Sequence, residues 1–202
     1  MQMREKIAPK RCAIQFLTKL QLFEPLSFLS SYFREANFKN IFNEIQYRLG
    51  KSPDGFPLPS QKLIFDVIAA PYAEDYIRSG HERANHLQTV LGKNGYQLSN
   101  FRDILDFGCG CGRIIRHIKK IAPNSQLFGS DYNSRLIKWC QNNLTFATFF
   151  QNDLFPPLNL KDEQIDFCYA FSVFTHLSEE LQYKWIKELH RILKKDGVLL
   201  FT

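Results

Sequence analysis

An apolar run that meets a carboxylate and then three closely spaced glycines constrains this chain more than any other stretch. It reads Ile104-Leu105-Asp106-Phe107-Gly108-Cys109-Gly110-Cys111-Gly112-Arg113. The apolar part predicts a buried strand. The glycines predict a tight turn that opens a helix. Without side chains the backbone of such a turn can approach a ligand, and the helix start behind it offers free N–H groups. The spacing is Gly-x-Gly-x-Gly. The dinucleotide fingerprint, Gly-x-Gly-x-x-Gly, would place its last glycine at position 113, which is Arg113. The turn therefore points to a nucleoside cofactor and away from ordinary NAD or FAD binding.

The residues that follow extend the pattern. Gln126-Leu127-Phe128-Gly129-Ser130-Asp131 predicts a second strand ending in an acid, nineteen residues after Gly112. An acid at that tip is where a doubly wound fold grips ribose hydroxyls. Phe146 to Phe150 predicts a third strand, followed by Asn152-Asp153-Leu154. Ile165 to Ala170 predicts a fourth, followed by Phe171-Ser172-Val173-Phe174-Thr175-His176. Leu181, Trp185, Leu189 and Leu193 mark a long amphipathic helix, and Val198 to Phe201 a fifth strand. Strands alternating with helices imply an α/β fold, a doubly wound and mostly parallel sheet with helices on both faces.

The first hundred residues read differently. Ile14, Leu17, Leu20 and Leu22-Phe23 supply one helical face, and Phe38, Ile41, Ile45 and Leu49 another. Gly50 to Pro57 is rich in turn residues and reads as a linker. Pro59-Ser60 can start a helix through Ile68, and Gly80 to Leu91 predicts one more, ended by Gly92 and Gly95. The expected organisation is a helical segment over residues 1–100, a candidate lid or acceptor-specificity region, and a cofactor domain over 101–202.

Composition closes off several alternatives. The net charge is +6, but the basic residues are scattered, and the densest runs are pairs such as Lys119-Lys120 and Lys194-Lys195. No basic stripe suggests nucleic-acid binding, so no nucleic-acid partner is expected. The five cysteines lack a disulfide-framework spacing. Cys109-x-Cys111 is too close for a zinc pair, so the thiols read as small side chains in a crowded turn and no metal is expected. Reduced thiols suit a cytoplasmic location. No run reaches the ~20 apolar residues a membrane span needs. Nineteen Phe residues predict an aromatic-rich core.

On Asp106, the glycine trio, Asp131 and Asp153, the region from about 102 to 202 resembles class I S-adenosylmethionine-dependent methyltransferases. The resemblance implies S-adenosyl-L-methionine as cofactor and a set of roles. Asp106 would orient the methionine amino group, or tie down the turn. Gly108, Gly110 and Gly112 would shape the turn beside methionine and ribose. Asp131 would accept from both ribose hydroxyls; its rival role is to cap the next helix. Tyr132 would lie along the adenine, or face solvent. Asp153 would accept from the adenine amine and the Leu154 N–H would reach a ring nitrogen, with plain turn chemistry as the competitor. Phe171 and Ser172 would close over the methyl donor. His176 is the ionisable ring beside them. An imidazole titrates near neutrality and can take a proton from an acceptor hydroxyl or amine, or it can simply pack in its loop. Tyr76 and His81, just upstream, could also face the site.

The acceptor is expected to be a small molecule or carbohydrate-like. The Asn/Asp-Pro-Pro-aromatic motif of amino-methylating nucleic-acid enzymes is missing, since the fourth strand leads into Ala170-Phe171-Ser172-Val173. The alternative is a non-catalytic or truncated cofactor-binding module acting with a partner. The resembled domains have seven strands, and the sequence supplies five, which leaves a sheet edge to be covered.

Overall fold

The computed structural model describes Ile45, Tyr47 and residues 52–202. Apart from those two residues, which have helical backbone, the expected helices around Ile14 to Phe23 and Phe38 to Leu49 lie outside the described residues. Two helices lead into the sheet: α1 (Gln61–Ile68) and α2 (Ala73–Lys93). The α/β part follows as β1 (Asp103–Phe107), α3 (Ile115–Ile121), β2 (Gln126–Asp131), α4 (Ser134–Asn143), β3 (Thr148–Gln151), β4 (Ile165–Ala170), α5 (Glu179–Ile192) and β5 (Leu193–Phe201).

The five strands form one parallel sheet in the order β3-β2-β1-β4-β5. β1 lies at its centre, and all five of its residues are buried. Side chains alternate between the two faces of a strand. Ile104 therefore joins a core with Ile64 of α1, Tyr76 and Leu87 of α2, Ile118 of α3 and Ile137 of α4. Leu105 and Phe107 join the opposite core, with Trp185 and Leu189 of α5. Each fully buried aliphatic or aromatic side chain contributes about 1.5–3 kcal/mol. Because α1 and α2 share the first core, residues 61–93 are built into the same body as the sheet.

Local chemistry sets the helix starts. The Ser60 side chain accepts from the Leu63 N–H at 3.4 Å, and Ser178 accepts from Leu181 at the same distance. Both cap their helices, Ser60 at the start the sequence suggests.

Several boundaries differ from expectation. The helix expected from Gly80 begins at Ala73, and Gly80 is in its interior. Glycine weakens a helix interior by about 1 kcal/mol relative to alanine. Close packing decides here: a Cβ on Gly80 would lie 2.2 Å from the Arg113 carbonyl oxygen. The third strand is displaced to Thr148–Gln151. The fifth starts at Leu193, directly after α5, and its register against β4 shifts between Ile165 and Phe167. Lys194 anchors this irregular start through Asp103 (3.0 Å) and Asp166 (2.8 Å).

The expected linker is partly core. Asp54 and Arg116 are buried and form an ion pair, with Arg116 Nη2 donating to Asp54 Oδ1 at 2.9 Å and to the Phe56 carbonyl at 3.0 Å. Burial alone would raise the Asp54 carboxyl, but Arg116 and the Phe56 N–H hold it below its ordinary value. Among the described residues no helix is long and apolar enough to cross a membrane.

Candidate cofactor site

After β1 the chain builds outward through β2 and β3, then returns to place β4 on the other side of β1. The loops after β1 and β4 thus leave in opposite directions, and a crevice opens at the strands' carboxyl ends. Open α/β sheets bind ligands at such a switch point.

The glycine turn forms one wall. Gly108, Gly110 and Gly112 have φ of 80°, 56° and 78°. These left-handed values are strained for residues with side chains. Space matters as well: a Cβ on Gly108 would lie 2.3 Å from Val173 Cγ2, and one on Gly110 would lie 3.0 Å from Val67 Cγ2. The Ser130 carbonyl at the end of β2 accepts from the N–H groups of Gly108 (2.8 Å) and Cys109 (2.9 Å). Cys109 and Cys111 are buried, and burial pushes both thiols well up. They fill space as protonated side chains, in keeping with the packing role expected for them.

Asp131 ends β2 and is tied into the turn. Its Oδ2 accepts from the Gly110 N–H at 2.9 Å and its Oδ1 from the Asn133 N–H at 2.8 Å. Burial raises its carboxyl, and the two backbone donors pull it back. The cap of α4 is Asn133, which accepts from the Arg135 N–H at 3.1 Å. The capping role weighed for Asp131 thus belongs to Asn133. Tyr132 is 68% exposed. Asn152 donates its N–H to the Asp131 carbonyl (3.1 Å), and the Gln151 side chain donates to the Tyr132 carbonyl (3.2 Å). These bonds bring the turn with Asp153 and Leu154 beside the β2 tip. Both residues are exposed, and the Leu154 carbonyl accepts from Trp185 Nε1 at 3.1 Å.

Asp106 is the opposite case. It is 2% exposed, and burial pushes its carboxyl up to about 7. Its register partner on β4 is Tyr169, itself fully buried. The two side chains interact across the strands, yet Asp106 Oδ2 and the Tyr169 hydroxyl make no hydrogen bond of normal geometry among the described residues. Two unpartnered polar atoms side by side in a core are costly unless a ligand completes them.

The other wall follows β4. Phe171 is half-buried and its ring meets Tyr169 edge-on at 6.4 Å. Ser172 is exposed, has φ of 54°, and donates its N–H to Thr202 Oγ1 at 3.1 Å. His176 ends a 3₁₀ turn, Phe174–His176, with its N–H on the Val173 carbonyl (3.0 Å); the residue is exposed.

One face of α2 roofs the crevice through residues spaced four and three apart, a helical neighbour spacing. The Tyr76 hydroxyl donates to the Cys111 carbonyl at 2.7 Å. Gly80 meets Arg113. The Arg83 guanidinium lies 5.6 Å over the Phe171 ring. His81 points elsewhere, with its ring 2.9 Å from the Asn85 amide. Sequence reasoning missed Tyr169, Gly80 and Arg83. Only Arg113 carried a signal, as the residue standing where a dinucleotide motif has glycine.

Residues 104–197 match the family model described as a methyltransferase domain. Over that stretch the chain carries a methyltransferase domain. S-adenosylmethionine is the cofactor this family implies. A malonyl-[acyl-carrier protein] O-methyltransferase of Bacillus cereus is 27% identical over 140 residues, which is 68% of this chain and 50% of the relative. The chain thus spans half the length of that relative. Among solved structures, a Methanococcus maripaludis protein assigned as an S-adenosyl-L-methionine-dependent methyltransferase superposes with a TM-score of 0.55 at 13% identity, over 70% of this chain and 63% of the other. A Galdieria sulphuraria protein assigned as a sarcosine dimethylglycine methyltransferase gives 0.51 at 20% identity, over 59% and 46%. At these identities the likeness concerns the fold.

Proposed function

We propose that the chain binds S-adenosylmethionine in the β1–β4 crevice and directs methyl transfer to a small-molecule or carbohydrate-like acceptor. The observation that carries this reading is the buried, unpartnered Asp106 Oδ2 beside a left-handed glycine turn. An ammonium group brought there supplies the missing donor and a compensating charge. Asp131 fits the ribose end, because a carboxylate has about four acceptor sites and the backbone uses two of them. Asp153 and the Leu154 N–H take the adenine edge, and Tyr132 one adenine face. Phe171 and Ser172 close the methyl-donor end. When bound, the cofactor supplies the electrophilic methyl group. The chain's own contribution is alignment and exclusion of water. In this reading His176, exposed just beyond Ser172, receives the proton of an incoming acceptor.

The Bacillus relative's name gives a malonyl group on a carrier protein as its acceptor. A short acyl chain of that kind supports the small-molecule class. A second reading rests on β5, an outer strand with one sheet neighbour among the described residues. It makes the domain a cofactor-binding module completed by a partner, as an open edge invites pairing.

Isothermal titration with S-adenosylhomocysteine, with NAD as control, tests the main reading. Saturable binding of the former alone is expected. A folded chain that binds neither ligand would sink it. With an acceptor in hand, His176→Ala should lower turnover and spare cofactor affinity, and unchanged turnover would remove the proton-acceptor role.

A further inference from the structure

One buried group beside the crevice has so far no task. Tyr169 lies on β4 in register with Asp106 of β1, at the centre of the sheet. Register partners on parallel strands present their side chains to the same face, about 4.8 Å apart. Both residues are buried, and Asp106 Oδ2 and the Tyr169 hydroxyl make no hydrogen bond of normal geometry among the described residues. The Tyr169 ring is held between two others of its own strand face, Phe167 at 5.8 Å and Phe171 at 6.4 Å. It cannot swing its hydroxyl out to water, and Asp106 is the acceptor it faces. Burial and the Asp106 charge both push the phenol's titration far up, so it stays a donor. Other groups also face Asp106: Cys168 from β4, Asp131 from β2, and Cys109 and Arg113 from the glycine turn and its exit. Burial keeps both thiols protonated. Burial is also the largest influence on Asp106 and raises its carboxyl to about 7. The Tyr169 hydroxyl is the strongest influence the other way, ahead of Arg113 and the Ile115 N–H, while Asp131 sides with burial.

We propose that Tyr169 is a positioning residue for cofactor binding, whose hydroxyl donates to Asp106 and holds that carboxyl in the charged form that meets the cofactor's ammonium group. The inference rests on the functional reading above and deepens it. In the free chain below about pH 7 Asp106 carries a proton. When the ammonium group enters, the O–H bond of the acid breaks and the proton leaves to solvent. The carboxylate then accepts from the ammonium group and from the Tyr169 hydroxyl, and Tyr169 keeps its own proton throughout. Two charge-assisted bonds replace a buried neutral acid. Binding is therefore coupled to proton release, and Tyr169 sets the pH below which that release is required.

The test is isothermal titration of the wild-type chain and Tyr169→Phe between pH 6 and pH 8. The probes are S-adenosylhomocysteine and methylthioadenosine, which lacks the amino-acid end. Two buffers of different ionisation heat report the protons released. The ratio of the two affinities removes what the nucleosides share, including Asp131 at the ribose. In the wild-type chain S-adenosylhomocysteine should release most of a proton at pH 6 and almost none at pH 8. Its affinity relative to methylthioadenosine should be about tenfold weaker at pH 6 than at pH 8. Tyr169→Phe deletes one hydroxyl and keeps the ring, and a thermal melt checks its fold. It should move the midpoint of the profile up by about one pH unit, a relative loss of about fivefold at pH 7 that shrinks to about twofold at pH 8. A residue that only packs would weaken both nucleosides alike at every pH. The inference is overturned by that result, by an unmoved midpoint, or by a wild-type chain that binds S-adenosylhomocysteine without releasing a proton at pH 6. Failure of the wild-type chain to bind either nucleoside would instead overturn the functional reading, and this inference with it.

Discussion

The tips of β1 and β2 each end near a buried carboxylate, and the two are built in opposite ways. Asp131 accepts two backbone N–H groups and thereby fixes the glycine turn to the second strand. Among the described residues Asp106 Oδ2 accepts no hydrogen bond of normal geometry, and burial drives its carboxyl up to about 7. A carboxylate at a strand tip can thus hold the scaffold or wait for a ligand, and its backbone donors separate the two cases. On this reading Asp131 serves both fold and ribose, whereas Asp106 serves the ligand at some expense to the fold.

The strongest way to break this contrast is Asp131→Ala. It should weaken S-adenosylhomocysteine at least tenfold and also destabilise the chain, by about 1.5–3 kcal/mol for each lost bond to a charged acceptor. Titration and urea melts read the two effects separately. Destabilisation without a binding loss would confine Asp131 to the scaffold. Gly110→Ala tests the other end of the same bond. Its left-handed φ and the nearby Val67 should cost about 1–3 kcal/mol of stability. A melt as stable as wild type would mean that the turn can relax.

Asp106→Asn should do the reverse, weakening the cofactor while easing folding at higher pH. The sign follows from linkage. The folded carboxyl titrates near 7 and the unfolded one near 3.8, so the folded state holds the extra proton between these values. Stability therefore falls as pH rises through that window. The Asn variant removes the fall, and its advantage over wild type should be larger at pH 8 than at pH 5 in urea midpoints. An advantage that does not change with pH would mean that Asp106 is not perturbed by folding.

His117 supplies an opposing tilt. Burial pushes its ring down to about 4, so the unfolded state binds the extra proton and stability rises with pH between about 4 and 6.5. His117→Gln should flatten that rise, and an unchanged slope would assign it elsewhere. The smallest effect belongs to Tyr169→Phe. It deletes a buried hydroxyl that lacks a partner and should leave stability within about 1 kcal/mol of wild type, or raise it. A larger loss would reveal a bond between Tyr169 and Asp106.

The glycine turn was legible because left-handed backbone and close packing select glycine almost uniquely. The β1, β2 and β4 strands were legible because burial on both sides demands continuous apolar runs, whereas the bounds of the less buried β3 and β5 were not. The start of α2 was not, since Gly80 resembles a helix boundary in sequence. Its reason is a carbonyl 2.2 Å from a Cβ it does not have. Asp54 was unreadable for a related reason. It lies in a stretch dense with turn residues, yet its partner Arg116 is sixty-two positions away.

What the sequence determined alone was local: a strand, a turn of defined hand, and an acid at each of two strand tips, all set by backbone sterics and burial. Which acid is satisfied and which is left open was decided only by the tertiary structure. Hydrogen-bond satisfaction depends on groups brought together from distant parts of the chain, and no spacing along the chain records it.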